Sequence, residues 1–187
     1  MSWIVDLKIA VKISLAFLIV SFVSITMSDI SLRNIDTIEK ISAWTEHTHN
    51  VISQMEIFAM SMIDHETGLL GFVVTADESF LDPYKAGRQA YAIALTEVRS
   101  LTSDNQQQQE RLVNLEKLAT HWCGTVADPE IAFMRDPTTH SEARRMVISG
   151  VSKKTMDVLS AKAAEIVAIE APLLTVRSAA AKAAADS

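Results

Sequence analysis

Glu46 and His49 form a Glu-x-x-His, the element that di-iron helical bundles use to hold metal between facing helices. Such a site needs two of these elements and two further inward carboxylates, and the chain has no second Glu-x-x-His. The expectation is that no metal is held here. His47 and His49 are two residues apart, which places them on different helix faces, and both are expected to face solvent. His121, next to Trp122, reads as a flank residue rather than a ligand. The lone Cys123 has no partner for an internal disulfide or a thiolate metal site, and reads as a small core residue. No phosphate loop, G-x-S-x-G or kinase signature occurs, and no Cys/His pair has catalytic logic. The expectation is no catalytic residue, no cofactor-binding residue and no cofactor.

The elements that would position any site are helical. The 187 residues are rich in Ala, Leu, Ile, Val, Glu, Lys and Met, with only five glycines and four prolines. A net charge of −6 without a basic cluster argues against nucleic acid as a partner. The acidic residues 36, 39, 46 and 56, mixed with Arg33 and Lys40, form an ordinary solvated face.

From Ile9 to Met27 the only charge is Lys12. Nineteen helical residues come close to the ~30 Å hydrocarbon core, and Lys12 sits near one end, where its stem can snorkel. Trp3 suits the interfacial belt. A cleaved signal peptide would need a shorter apolar core and a small-x-small exit, which Ile25-Thr26-Met27-Ser28 does not supply. The segment therefore reads as an uncleaved transmembrane anchor over 9–27. Lys8, Lys12 and the amino terminus against Arg33 and Lys40 give a slight positive-inside bias. That bias favours residues 1–8 in the cytoplasm and 28–187 outside.

Beyond the span, Ile41, Trp44, Thr48, Val51, Met55, Phe58, Met62, Leu69 and Phe72 step by three and four in a heptad-like stripe. Four helices are expected, at about 29–75, 79–101, 104–135 and 141–185. Ser103 with Gln106, and Thr139 with Glu142, have capping-box spacing. Pro129 is expected to kink or trim the third helix near Asp128, and Pro172 to bend the fourth near Ile169. The third stripe reads Leu112, Leu115, Ala119, Trp122, Val126, Phe133. Gly68 and Gly71 each cost roughly 1 kcal/mol against alanine in a helix, a cost best explained by close approach of another helix at the distal tip.

The two middle helices are too short to accompany the outer two to the membrane. Ile30, Ile35, Ile38 and Ile41 would there face Ile166, Ile169 and Leu173, and two helices cannot hide faces of that width. A parallel homodimer through the membrane-proximal halves is predicted.

The tip stretch resembles the signature of the third type of CHASE domain, an extracytoplasmic helical sensor module of bacterial receptors. The residues that carry the likeness are Asp64, Glu66, Thr67, Gly68, Gly71, Phe72, Thr75, Asp77 and Glu78, then Phe80, Leu81, Pro83 and Tyr84. Asp104-Asn105, Gln109, Arg111, Leu112, Trp122, Gly150, Met156-Asp157, Glu170, Leu173, Leu174 and Arg177 continue it, so that it covers nearly all of 29–180. His65 falls at a variable position of the signature. The resemblance implies an all-α, up-down four-helix bundle behind an N-terminal transmembrane helix. It also implies feeding of a chemoreceptor, a histidine kinase or a cyclic-dinucleotide cyclase.

Leu69-Leu70 replaces the family's Gln-Arg, so the usual arginine partner of Glu66 is missing. Glu66 must face water, find another cation such as Arg88 or Arg99, or be held protonated by burial. The chain stops at Ser187 with no second span or output domain, and is expected to be the input portion of a longer receptor.

The expected function is a membrane-anchored signal-input domain, first of a methyl-accepting chemotaxis receptor, in the bacterial inner membrane with its sensor on the periplasmic side. A histidine kinase or diguanylate cyclase host is the alternative, as is a periplasmic protein-interaction adaptor with no small-molecule ligand. The stimulus, an unknown periplasmic ligand or protein, would pass inward as a small displacement of the last helix against the first.

Overall fold

The computed structural model describes residues 9–185, and Trp3, Lys8 and the rest of the 1–8 segment lie outside it. The described residues are helical with no strand: α1 (Ile9–Thr75), α2 (Leu81–Leu101), α3 (Gln106–Trp122), α4 (Asp128–Arg135), α5 (His140–Ile148) and α6 (Val151–Ala185). They divide into two compact units, 9–45 with 176–185, and 46–175.

In the first unit α1 contains a window of mean hydropathy 2.0, long and apolar enough to cross a membrane, and none of it is buried. Phe17, Leu18, Phe22 and Ile25 are all more than 60 % exposed. A helix apolar all round is made for a solvent as apolar as itself. Thr26 suits that solvent too, its hydroxyl donating back to the carbonyls of Phe22 and Val23 at 2.9 Å. Further on, Asp29–Arg33 and Asp36–Lys40 pair along the exposed surface. Arg177 of α6 lays its guanidinium over Trp44, 4.9 Å from the ring centroid.

The second unit is the four-helix bundle: α1 from residue 46, α2, the α3–α4 rod and α6. Val51, Met55, Phe58, Met62, Leu69 and Phe72 are at most 1 % exposed. Each partner answers with its own stripe of threes and fours, as in Leu112, Leu115, Ala119 and Trp122, or Met156, Leu159, Ala163 and Ile166. Trp44 departs from the expected α1 stripe; it lies in the other unit and is half exposed.

Several sequence expectations need correction. The α3 cap is Asn105, whose side chain accepts from the Gln108 N–H at 3.1 Å, and not Ser103. Gln109 Nε2 closes the end of α2 instead, donating to the carbonyls of Arg99 and Thr102 at 2.9 Å. Thr139 makes no side-chain cap; its hydroxyl donates back to Phe133 and Asp136 carbonyls. The expected helix over 141–185 is two helices, because Gly150 at φ +71° turns the chain between α5 and α6. Pro172 lies inside α6, as its place in the expected fourth helix implies.

Pro129 acts earlier than expected. It lies in the first turn of α4, and a π turn over Cys123–Ala127 precedes it. A proline cannot donate to the carbonyl four residues back, and the wider turn absorbs that loss. The extra residue rotates the stripe beyond it. Phe133, expected inside, is 36 % exposed, while Glu130, Ile131 and Met134 turn inward.

Candidate functional site

The distal tip is built on two glycines. A Cβ on Gly68 would stand 2.7 Å from the Tyr84 backbone nitrogen and 2.8 Å from the Phe80 carbonyl; one on Gly71 would run into the Phe80 ring. Bare backbone at both positions lets α2 start flush against α1. Gly87 does the same from the other side, where a Cβ would meet the Ser61 carbonyl at 2.5 Å. The turn between the helices is closed locally. Thr75 Oγ1 donates to the Gly71 carbonyl at 2.7 Å and accepts from Asp77 N–H at 3.2 Å, and Asp77 caps the next turn by accepting from Ser79 N–H at 2.9 Å. Glu78 receives a two-pronged contact from Arg135, at 2.7 and 3.0 Å.

Below this tip the bundle core becomes polar. His65, one residue before Glu66, has no exposed surface, and both ring nitrogens lack a hydrogen-bond partner. Its ring sits among aromatics, edge-on to Tyr84 at 4.0 Å and Trp122 at 5.1 Å and stacked with Tyr91 at 5.9 Å. Burial, helped by the positive charge of Arg88, pushes the imidazole down to about 4, so it is neutral at physiological pH. The Tyr84 hydroxyl donates a hydrogen bond to Asp128 Oδ1 at 3.2 Å. Tyr91 lies 3.9 Å from the Cys123 sulfur, a thiol that burial pushes up and makes a poor nucleophile.

Glu66 stands beside this box at the end of a relay. The Trp122 indole N–H donates to Ser152 Oγ at 3.1 Å, and Ser152 donates to Glu66 Oε1 at 3.2 Å. Burial raises the Glu66 carboxyl, and Asp157 adds to the rise, while the serine hydrogen bond and Lys153 oppose it. Glu66 is half-buried, and burial is the largest influence on its carboxyl. Arg99 is taken by Glu116 at 2.9 Å.

Glu130 is the residue that sequence reasoning missed. It has no exposed surface, and neither carboxyl oxygen has a partner. Burial and the like charge of Glu66 push it up to about 7. Ser152 and His65 were missed as well. A cue existed for two of them: His65 fills the gap in the stripe between Met62 and Leu69, and Glu130 follows Val126 by four.

The remaining signature residues scatter. Asp64, Thr67 and Pro83 are exposed, Leu81 is core, and Asp157 pairs with Lys153 at 2.6 Å. Glu170 is buried farther down the bundle, accepting from Gln108 Nε2 at 3.0 Å, and Arg177 belongs to the other unit. His49 and His121 are exposed, whereas His47, expected in solvent, is half-buried. Among the described residues no three His, Cys, Asp or Glu side chains gather to hold a metal.

Two surface features complete the inventory. A groove of about 460 Å³ between α3 and α6 is lined by Arg111, Asn114, Lys117, Leu118, Lys162 and Glu165, within the size range of small-molecule sites. On the outer face of α1, Met60, Ile63, Leu70 and Val74 are exposed at heptad spacing.

The sequence model of the CHASE3 domain matches residues 41–180. No curated protein and no solved structure matches the chain.

Proposed function

This chain belongs to the CHASE3 domain family, and on that premise we propose that it is the membrane-anchored signal-input module of a transmembrane receptor. CHASE3 is an extracellular sensor domain. The observation that carries the reading to a membrane receptor is the continuity of α1. One helix holds a fully exposed apolar stretch at its start and a fully buried core face at its end.

We place the anchor in the inner membrane with the bundle on the periplasmic side, and rank a methyl-accepting chemotaxis receptor first among hosts. A histidine kinase or cyclase ranks next, by family-level analogy. Ile30 and Ile35, each more than half exposed in the first unit, support a parallel homodimer there. The stimulus travels as a shift of about 1–2 Å between α6 and α1. The test is a disulfide joining α1 to α6 beside the Trp44–Arg177 contact in the full-length receptor. Locked output is expected, and a fully cross-linked receptor that still responds normally overturns the mechanism.

A second reading has its own observation. The exposed Met60–Ile63–Leu70–Val74 stripe suits a protein partner, whereas the α3–α6 groove suits a small molecule. Charged substitutions on the stripe separate the two: loss of response favours the protein partner.

A further inference from the structure

We propose that Glu130 and Glu66 form a proton-binding site inside the bundle, and that its occupancy decides whether α4 stays seated in the core. The proton would then be a stimulus of the module. That last step alone rests on the signal-input reading above.

The case begins with an incomplete carboxyl group. An ionised carboxylate inside a protein is tolerated when donors or a cation surround it. Glu130 has neither: its exposure is zero and both oxygens are without partners. A neutral carboxylic acid is the form that fits these surroundings. Neither the α3–α6 groove nor the cleft beside Tyr84 and Asp128 is lined by Glu130.

The neighbours deepen the constraint. From α1 comes Glu66, a like charge, and His65, whose imidazole is held neutral. From α6 come the Ser152 hydroxyl, already given to Glu66, and Lys153 and Asp157, which act on Glu66 and on each other at 2.6 Å. From the end of α3 comes the Trp122 indole, committed to Ser152. From α2, Arg88 acts on His65, Tyr84 and Tyr91. No donor is left over for Glu130. Loss of its proton therefore places two carboxylates together with no local relief except movement.

The fold permits that movement. Glu130 rides on α4, a helix of eight residues joined to α3 through the π turn and to α5 through the Asp136–Pro137 turn. The π turn is the joint about which α4 would rotate Glu130 toward water while α3 stays in place.

The test is a pH titration of the full chain in detergent micelles, with glutamate side-chain carboxyl carbons labelled and read by NMR. The expected result is one buried glutamate with a midpoint near 7, absent in Glu130→Gln. In Glu66→Gln, which leaves Glu130 in place, that midpoint should fall toward the ordinary carboxylate range because a like charge is gone. A wild-type Glu130 titrating at about 4.3, like a free glutamate, overturns the proposal. A midpoint unmoved by Glu66→Gln overturns the pairing. In the full-length receptor, output that follows this midpoint and is lost in Glu130→Gln supports the proton as stimulus. Output blind to pH despite a midpoint near 7 overturns that step and leaves the signal-input reading standing.

Discussion

Glu170 and Glu130 are both acids inside the same bundle, 5 % and 0 % exposed, and the bundle treats them differently. Glu170 on α6 meets the Gln108 amide of α3 at 3.0 Å, so a donor was brought to the acid across two helices. Glu130 on α4 has no donor and feels instead the like charge of Glu66, a second acid whose own donor, Ser152, comes from α6. A paired buried acid fixes the register between helices. An unpaired one stores a cost that the next protonation event can release or impose. The difference marks the Gln108 end as a staple and the Trp122 end as the part poised to change.

The comparison can be broken from either side. The largest effect is expected at Trp122→Ala, which removes a fully buried indole from around His65 and the donor to Ser152. About 3–5 kcal/mol should be lost in a urea melt. Next comes Glu130→Met, which replaces the orphaned acid by an apolar chain of similar length. The folded Glu130 is at about 7 and the unfolded one near 4.5, so the folded state holds its proton longer. Its penalty on stability is absent below pH about 4.5, grows as pH rises to about 7 and is constant above. Glu130→Met should therefore be more stable than wild type by about 3 kcal/mol at pH 8, the gap closing by pH 4. Taking the difference between the two proteins removes His65, whose lowered value works in the opposite sense between about 4 and 6.5.

Gln108→Leu should cost about 2 kcal/mol at neutral pH, because it strands Glu170 without its donor. The signs at the two sites are thus opposed: deleting polarity helps beside Glu66 and hurts beside Glu170. The smallest effect is expected at Arg135→Ala. Its contact with Glu78 is two-pronged, yet both side chains are more than half exposed, and the melting temperature should not move measurably.

Much of this bundle was legible as a sequence because its cause is local. A stripe of threes and fours along Thr48, Val51, Met55, Phe58 and Met62 can be read from the chain alone, and each of these residues is buried. Gly68 and Gly71 were legible as close-packing positions because a glycine pair in an apolar helix is costly without a reason. Glu66 was visible as a problem through its missing arginine, but its solution was not, since Ser152 lies 86 residues away. Glu130 was hidden by a subtler effect. The π turn at Cys123–Ala127 shifts the helical phase by one residue, so a stripe extrapolated from Trp122 and Val126 lands on Phe133 where Ile131 and Met134 turn inward, and Glu130, on the edge of either stripe, is passed over because it is an acid. Pro129 signalled that something happens there, but not that the phase would change. The α5–α6 break was missed for a related reason: Gly150 was read as one more helical residue, and only its φ of +71° makes it a turn.

The contrast between the two acids is tested most directly by amide hydrogen exchange of the full chain at about pH 5 and about pH 8, each corrected for the intrinsic rate. Deprotonation of Glu130 should lower the protection of α4 amides over Asp128–Arg135 at the higher pH. Amides around Leu112 and Leu115 in α3, beside the Gln108–Glu170 pair, should keep theirs. Equal changes in both helices, or no change in α4, would contradict the account.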